Sequence, residues 1–229
     1  MKLIIPVVLF LCSGSMFAQQ QQIVAQEEVP VSIQYLFPEF TAGRVLYKNG
    51  ASAEGKLNYN MLLEEMMFVD DANRQMVMDN VKEVNMVTIA GRRFYPYGTQ
   101  KFAEELTGGA VKLRVLRKGS MVKHSKEAGY GSSSATSAID SYSSISGAAN
   151  QKTELTEKGN VLVTVSKIYY LVPVSGKYTA IRNQKTFIRQ FPSFQTEIEN
   201  FVQDQSIDFT NQTDLISLLA YCNDLSQSK

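Results

Sequence analysis

The sequence predicts a mainly β protein of the α+β class, an antiparallel meander that forms a curved sheet, half-barrel or barrel with two amphipathic helices at its C-terminal end. Segments of alternating apolar and polar residues follow one another between Gly43 and Ile181, and short turns separate most of them. Strands joined in this way pair antiparallel, because parallel neighbours need long crossover connections. The apolar period lengthens to that of a helix after Pro192. Two packed sheets stay an alternative arrangement of the same strands.

Turns divide the predicted strands. Asn49-Gly50 favours a type I′ hairpin, since both residues adopt positive φ at low cost, and Gly91-Arg92 fits a two-residue turn with glycine first. Asp70 begins a third turn. The strands are predicted at residues 44–48, 51–59, 62–69, 75–78, 84–90, 93–97, 101–106, 111–115, 161–165, 168–174 and 177–181.

Two short helices are predicted to pack on the sheet at the C-terminal end. Ser193 is the expected N-cap of the first helix and Asn211 that of the second, because their side-chain oxygens accept hydrogen bonds from free N–H groups. Cys222 lies on the apolar stripe of the second helix and is expected to be a buried, unreactive thiol. The stripes consist of Phe194, Ile198, Phe201 and Val202, and of Leu215, Leu218, Leu219 and Cys222.

The first residues have the layout of a bacterial secretory signal. A positive start at Lys2 precedes an apolar run too short to span a membrane, and Ala18 provides a small residue for cleavage. Cleavage there predicts an exported protein, periplasmic or outer-membrane-associated. Lipidation of Cys12 is an alternative that the large Leu11 before it disfavours. The predicted organisation is a signal peptide at 1–18, a flexible or extended leader at 19–40, an antiparallel β domain at 41–190 and a helical segment at 191–229.

The processed chain has almost no net charge. Removing residues 1–18 takes one lysine from 23 basic side chains and leaves the others balanced against 22 acidic ones. This balance gives no general attraction to nucleic acid. Since only Cys222 would remain, no internal disulfide is expected, and the core must stabilise the fold.

A segment rich in serine, glycine and alanine at residues 128–152 interrupts the predicted strands. It carries too few apolar side chains to order itself, because fixing each residue costs about 1–2 kcal/mol. A mobile surface loop is one interpretation. The roughly helical spacing of its few apolar residues, which include Tyr142, supports a lid over a groove as the other.

The sequence offers little that indicates catalysis, a cofactor or a metal. His124 is the single histidine, and no acidic residue adjoins it to orient its ring. Adjacent acids on a strand point to opposite faces and form no catalytic dyad. The turn from Asp70 lacks the spaced ligands and closing glutamate of a calcium loop. The adjacent pairs are Glu64-Glu65, Asp70-Asp71 and Glu104-Glu105.

Six methionines in the early strands allow three interpretations. They fill gaps in the core, line a cavity for an apolar ligand, or bind Cu(I) through their thioethers. The candidate ligand-binding residues are Met66, Phe68, Met76, Met78, Tyr130 and Tyr142.

A basic strand contrasts with an acidic C-terminal end. Six acids and only one terminal lysine follow Ser193. A solvated outer face is the simplest interpretation of the basic strand. Contact with the acidic helices, or with phosphates of lipopolysaccharide or an acidic glycan, are the alternatives. The basic patch consists of Lys112, Arg114, Arg117, Lys118 and Lys123.

Several long stretches carry a resemblance to a known group of proteins. They are GRVLYKNG, GKLNYNMLLEEMMFVD, VNMVTIAGRRFYPYG, the later GYG with its Ser/Thr tract, and the tail FIRQFPSFQTEIENFVQDQSIDFTNQTDLISLLAYCND. In these stretches the chain resembles exported proteins of unknown function from the Bacteroidetes. The resemblance covers most of the processed chain and implies an envelope location, and it implies no catalytic residues.

The sequence leaves three functional hypotheses. The first is non-enzymatic binding of an apolar or amphiphilic ligand, a lipid or a peptide, in the concavity of the sheet with the serine-rich segment at its rim. The second is an assembly or scaffold component of the envelope that docks partner proteins on sheet edges and helices. The third is a hydrolase that acts through carboxylates.

Overall fold

The structure, a computed structural model, describes residues 20–25, 30–123 and 160–227, and the side chains of all these except residues 20–25, 121–123 and 160–161. The predicted signal peptide and the serine-rich segment lie outside the described residues, as do His124, Tyr130 and Tyr142.

One antiparallel sheet of eleven strands forms the body of the described chain, which confirms the predicted mainly β fold. Its strand order is β1-β10-β9-β8-β7-β6-β2-β3-β4-β5, and β11 pairs with β10. Neighbours in sequence pair from β6 to β10 and from β2 to β5, so the predicted meander is also confirmed. The strands are β1 (Gln20–Ala25), β2 (Thr41–Tyr47), β3 (Ser52–Asn60), β4 (Glu65–Val69), β5 (Gln75–Val77), β6 (Val84–Ile89), β7 (Arg92–Tyr97), β8 (Lys101–Thr107), β9 (Val111–Lys123), β10 (Asn160–Pro173) and β11 (Thr179–Ala180).

Six of these strands close into a ring. β4 pairs with β3 and also with β8, where Glu65 lies opposite Lys101. This second pairing joins the two ends of the run β8-β7-β6-β2-β3-β4. The right-handed twist of antiparallel strands lets such a run curl back on itself. β9 and β10 extend the sheet beyond the ring.

Apolar side chains fill the interior of the ring. Tyr59 and Phe94 are each 1% exposed, and their stacked rings have centroids 6.1 Å apart. Burying one such side chain contributes roughly 1.5–3 kcal/mol. The buried cluster comprises Phe37, Val45, Leu57, Tyr59, Met61, Met66, Met78, Val81, Val84, Val87, Ile89, Phe94 and Phe102.

The predicted C-terminal helices are present. Asn211 caps the last helix by accepting a hydrogen bond from the N–H of Thr213 at 2.8 Å, as predicted. Ser193 does not cap the preceding helix, because a 3-10 turn at Pro192–Phe194 leads into it without a side-chain cap. The helices of the described residues are α1 (Val31–Gln34), α2 (Gln184–Ile188), α3 (Gln195–Asp204) and α4 (Gln212–Gln227), so α2 lies within the stretch predicted to be purely β.

Helices α2, α3 and α4 form a layer that covers the extended half of the sheet. Leu113 of β9 and Leu171 of β10 share one buried cluster with apolar residues of all three helices. Asn223 of α4 fixes the layer to β9, since its side chain accepts from the Val111 N–H at 3.3 Å and donates to the Val111 carbonyl at 3.2 Å. Cys222 is fully buried, and burial raises the pKa of its thiol to about 12, in agreement with the predicted unreactive thiol.

The hairpin at Asn49-Gly50 forms, but its predicted type is wrong. Only Gly50 of the pair has a positive φ, at 86°. The N–H of Gly50 donates to the Tyr47 carbonyl at 3.0 Å, and the N–H of Tyr47 donates to the Ala51 carbonyl at 2.9 Å. This is the pattern of a three-residue loop that ends in a glycine bulge.

The predicted turn at Gly91-Arg92 is displaced by one residue. Ala90 and Gly91 both have positive φ, at 48° and 77°, and form the type I′ turn. Arg92 is already part of β7, where it pairs with Ile89. Its place in the strand directs its side chain towards the ring interior.

The N-terminal region differs most from the prediction. β1 pairs antiparallel with β10, so residues 20–25 are not a flexible leader. The segment predicted to be extended begins with α1, in which the Pro30 carbonyl accepts from the Ile33 and Gln34 N–H groups at 2.9 and 3.0 Å. The predicted third strand starts later, at Glu65, because residues 61–64 form a turn.

None of the described helices has the length and apolar character that a membrane span requires.

Replacing Gly119 with alanine is predicted to destabilise the fold. Gly119 N–H donates to the Met61 carbonyl at 2.7 Å, and a Cβ at Gly119 would lie 2.8 Å from the Leu62 Cα. Overpacking of this kind costs roughly 1–3 kcal/mol. Gly55→Ala is the matched control, because its Cβ would meet nothing within 4 Å. Urea unfolding should show a clear loss for Gly119→Ala and a neutral or stabilising effect for Gly55→Ala, and equal effects would contradict the contact.

Candidate functional site

Three neighbouring strands carry charged residues that the sheet register brings together. Phe94 of β7 lies opposite Glu104 of β8, Arg93 of β7 lies opposite Glu105, and Glu105 lies opposite Arg114 of β9. Since successive residues of a strand point to opposite faces, Glu104 and Glu105 lie on opposite sides of the sheet, as the sequence predicts. We name the side of Glu104, which carries the ring core and the helical layer, the inner face, and the side of Glu105 the outer face.

Glu104 is a buried acid within an apolar row of the inner face. Arg92 binds it with two hydrogen bonds, from Nε to Oε1 at 2.5 Å and from Nη2 to Oε2 at 2.8 Å, and Arg117 also donates to Oε2. Burial by itself would raise the pKa of the Glu104 carboxyl, but the two guanidinium groups hold it below its ordinary value of 4.5. The carboxylate therefore stays ionised at neutral pH. The row consists of Ala53, Val45, Val87, Phe94, Glu104, Val115 and Tyr169.

Glu105 is held in the same way on the outer face. Its side chain is 2% exposed, and its Oε1 lies 3.1 Å from Nη2 of Arg93. Its Oε2 accepts from Nη2 of Arg114 at 3.2 Å, and Nζ of Lys112 lies 3.9 Å from the same oxygen. A buried charge is tolerated only when it is paired, so these cations are required for Glu105 to occupy this position.

Each face of β8 thus holds one carboxylate between arginines of β7 and β9. We name this arrangement the double clamp. It joins the ring to the extended half of the sheet, because β8 belongs to the ring and β9 begins the extension. The double clamp consists of Arg92, Glu104 and Arg117 on the inner face and of Arg93, Glu105 and Arg114 on the outer face.

Arg114 also organises a group of tyrosines on the outer face. Its guanidinium carbon lies 3.8 Å from the centre of the Tyr95 ring, and its Nη1 donates to the Tyr178 hydroxyl at 2.5 Å. The Tyr97 hydroxyl donates to the Tyr170 hydroxyl at 3.1 Å, and the rings of Tyr97 and Tyr178 lie 4.9 Å apart. We name this surface of five side chains the tyrosine–arginine face.

The tyrosine–arginine face is anchored by buried side chains on the side of the sheet, and its other side is partly exposed to solvent. Tyr170 packs in a small buried cluster with Leu116 and Val172, whereas Tyr97 and Tyr178 are only partly buried. Burial raises the pKa of the Tyr178 phenol, although the neighbouring Arg114 opposes the shift. The hydroxyl of Tyr178 therefore stays protonated at neutral pH and keeps a hydrogen to donate. Nε of Arg114 is a buried donor without an acceptor among the described residues.

Charge is segregated across the sheet. The outer face of β7 to β9 carries Lys112 and Lys118 in addition to the clamped arginines, and Lys101 there pairs with Glu64 at 2.6 Å. On the other side, residues 193–227 contain six acids and no base. The exposed acids of α3 are Glu197, Glu199 and Asp204.

The predicted basic patch is divided between the two faces. Arg117 is bound by Glu104 and Arg114 by Glu105, and the two arginines are 7% and 8% exposed. A solvated outer face is therefore a wrong interpretation for these two residues. The acids that bind these two arginines come from β8 and not from the acidic helices.

The lysines of the patch have different positions. Lys118 is exposed and Lys112 is partly exposed at the edge of the tyrosine–arginine face. The side chain of Lys123 lies outside the described residues. Contact of this region with lipopolysaccharide stays a prediction.

Four of the six predicted ligand-binding residues are described by the structure, and they lie in or beside the ring core. Met66 and Met78 are 1% and 8% exposed and belong to the cluster that fills the ring. Phe68 and Met76 lie opposite each other on β4 and β5 and are partly buried. Met66 and Met78 are thus packed as core residues.

The turn at Asp70 is a hairpin turn between β4 and β5. The Asp70 carboxylate accepts from the N–H groups of Ala72 and Arg74 at 3.0 and 2.8 Å, and it also pairs with the Arg74 guanidinium. Within residues 30–123 and 160–227, no three His, Cys, Asp or Glu side chains are grouped in a way that would hold a metal ion.

Sequence reasoning does not find the tyrosine–arginine face. Tyr95 and Tyr97 alternate along one strand, which already places them on one face. Tyr170 and Tyr178 flank a predicted hairpin and form a second pair. The two pairs of tyrosines come together only because β7, β8, β9 and β10 are successive neighbours in the sheet. No local sequence pattern specifies that order.

Comparison with known proteins gives no information on what the site does. No protein-family model, curated protein or solved structure matches the chain. The resemblance to exported proteins of the Bacteroidetes therefore stays a prediction.

Glu104→Gln is predicted to lower the free energy of unfolding by about 3–5 kcal/mol, because it leaves two arginines near an uncharged, buried partner. Arg74→Gln is the control. It removes one partner of an ion pair whose arginine side chain is 63% exposed, and it should cost less than about 1 kcal/mol. Urea unfolding of both variants measures the difference.

The same comparison has a defined pH dependence. The folded pKa of Glu104 lies below its ordinary value of 4.5, so the stabilisation is present above that value and is lost as the pH falls through the folded pKa. The gap in stability between the wild-type protein and Glu104→Gln should shrink on going from neutral pH to about pH 3. A gap that stays constant would contradict an ionised Glu104.

Proposed function

We propose that the protein is a non-catalytic interaction protein of the bacterial envelope, and that its tyrosine–arginine face binds the surface of a partner protein. The observation that carries this proposal is the pair of partly exposed tyrosines Tyr95 and Tyr178, which the buried Arg114 holds in place. Arg114 is itself bound by Glu105. Tyrosine and arginine are enriched among the residues that dominate the energy of protein–protein interfaces.

The fixed geometry of the face supports binding. Association costs about 0.5–1.5 kcal/mol for each flexible side chain that becomes ordered. Arg114 and Tyr170 are already held in one arrangement by hydrogen bonds to Tyr178 and Tyr97. Arg114 and Tyr170 are only 8% exposed, so a partner that docks here meets the partly exposed rings of Tyr97 and Tyr178. The ordering cost of these two rings is small because the same hydrogen bonds hold them.

The packing of the ring favours this function over a lipid carrier. A carrier needs an apolar concavity that is free to receive acyl chains. The methionines that would line such a concavity, Met66 and Met78, instead belong to the buried cluster that fills the ring. The outer face offers polar and aromatic groups together, which suit a protein surface.

The location in this proposal comes from the first 18 residues of the sequence. Their charged start, short apolar run and small residue at Ala18 are typical of a secretory signal. An exported chain with such a face fits an assembly or scaffold role in the periplasm or at the outer membrane.

A photoreactive benzoyl-phenylalanine at position 97 tests the proposal. In the native host cell, Tyr97 substituted in this way should give a discrete cross-linked adduct after irradiation. The same substitution at Val31, which is 51% exposed on α1, is the control and should give none. Mass spectrometry of the adduct identifies the partner. Absence of an adduct from position 97, or equal adducts from both positions, would contradict docking on this face.

A further inference from the structure

Two oppositely charged surfaces lie on opposite sides of the sheet. The outer face carries bases around the tyrosines, with Lys118 exposed beside the face and Lys177 exposed in the turn just before Tyr178. Helix α3 carries the exposed acids Glu197 and Asp204, whereas the exposed bases of the helical layer, Lys185 and Arg189, lie on or next to α2. Because the sheet separates them, these surfaces are unable to meet within one chain.

The helical layer also offers aromatic groups that match the tyrosines. Phe201 of α3 and Tyr221 of α4 stack with ring centroids 4.3 Å apart, and both are partly exposed. Glu197 precedes Phe201 by four residues and Asp204 follows it by three, so both exposed acids flank the aromatic pair on the helix surface. They complement the bases around the tyrosines on the other surface. Interfaces combine aromatic contact at their centre with charge complementarity that steers association.

We infer that the partner of the tyrosine–arginine face is a second copy of this chain, which docks its acidic α3–α4 surface there. This inference rests on the proposed function and names its partner. The contact is heterologous, since a different surface of each copy takes part. Each copy then retains one free surface of each kind, and repetition of the contact builds a head-to-tail ring or filament.

Electrostatic attraction gives this association a salt dependence. Exposed charges are screened over about 8 Å at physiological ionic strength and over longer distances at lower salt. Oligomers should therefore grow with protein concentration at low salt and dissociate as salt is added.

Complementation between two variants tests the inference. Lys118→Glu/Lys177→Glu reverses two charges around the outer face and leaves the helices intact. Glu197→Lys/Asp204→Lys reverses two charges on the side of α3 that carries Phe201 and leaves the outer face intact. Alone, each variant lacks one of the two surfaces that every contact requires, and its self-association should weaken by about tenfold or more.

A 1:1 mixture of the two variants should associate again. The intact outer face of one variant takes the intact helices of the other. The two reversed surfaces also carry opposite charges, so the mixture should form oligomers in which the two variants alternate. Asp71→Lys/Glu83→Lys is the matched control, since it reverses two exposed acids in connections of the ring and should assemble like the wild-type protein. Circular dichroism confirms that all variants fold, and sedimentation velocity of the protein purified from its host cell measures their size.

Two results would overturn the inference. A wild-type protein that stays monomeric at every concentration and salt level rules out the second copy as partner. Oligomers that persist unchanged in both reversal variants assign self-association to another surface. Neither result decides the proposed function, because cross-linking from position 97 to a different protein would still support docking on the tyrosine–arginine face.

Discussion

Two adjacent glutamates on one strand, each buried on its own face of the sheet between cationic side chains, are the constraint on which the rest of the structure depends. Glu104 and Glu105 need cations on both sides, and β7 and β9 supply them as Arg92, Arg93, Arg114 and Arg117. A register slip of one residue would move every side chain to the opposite face and separate these charges. The double clamp therefore specifies the register of three strands at the point where the ring meets its extension.

The surface chemistry follows from that register. Since Glu105 orients Arg114, and Arg114 orients Tyr95 and Tyr178, the charge pairing inside the sheet determines the shape of the tyrosine–arginine face. The apolar row of the inner face, in contrast, packs against the ring core and the helices. The acids of α3 and α4 therefore point away from the sheet. Segregation of charge between the two sides is thus a consequence of the fold, although the chain as a whole is nearly neutral.

Local sequence patterns predict the strands and helices of this protein better than they predict which strands pair with each other. The alternation at residues 111–115 marks β9, and the cap at Asn211 marks the start of α4, because strand alternation and capping are properties of neighbouring residues. The positions of the turns at Asn49-Gly50 and Ala90-Gly91 are likewise nearly correct, while their types depend on how the flanking strands twist. β1 is not predicted from the sequence, because its glutamines have little strand propensity. Its strand conformation depends on pairing with β10.

The candidate site is harder to predict for the same reason. The charges at Arg114 and Arg117 are visible in the sequence and suggest a solvated patch, but their acids come from another strand. A double-mutant cycle on Glu105 and Arg114, with Glu105→Gln, Arg114→Gln and the double variant compared by urea unfolding, tests the double clamp most directly. The double clamp predicts a coupling energy of about 1–3 kcal/mol between the two residues. A coupling below about 0.5 kcal/mol, the value of independent sites, would contradict it.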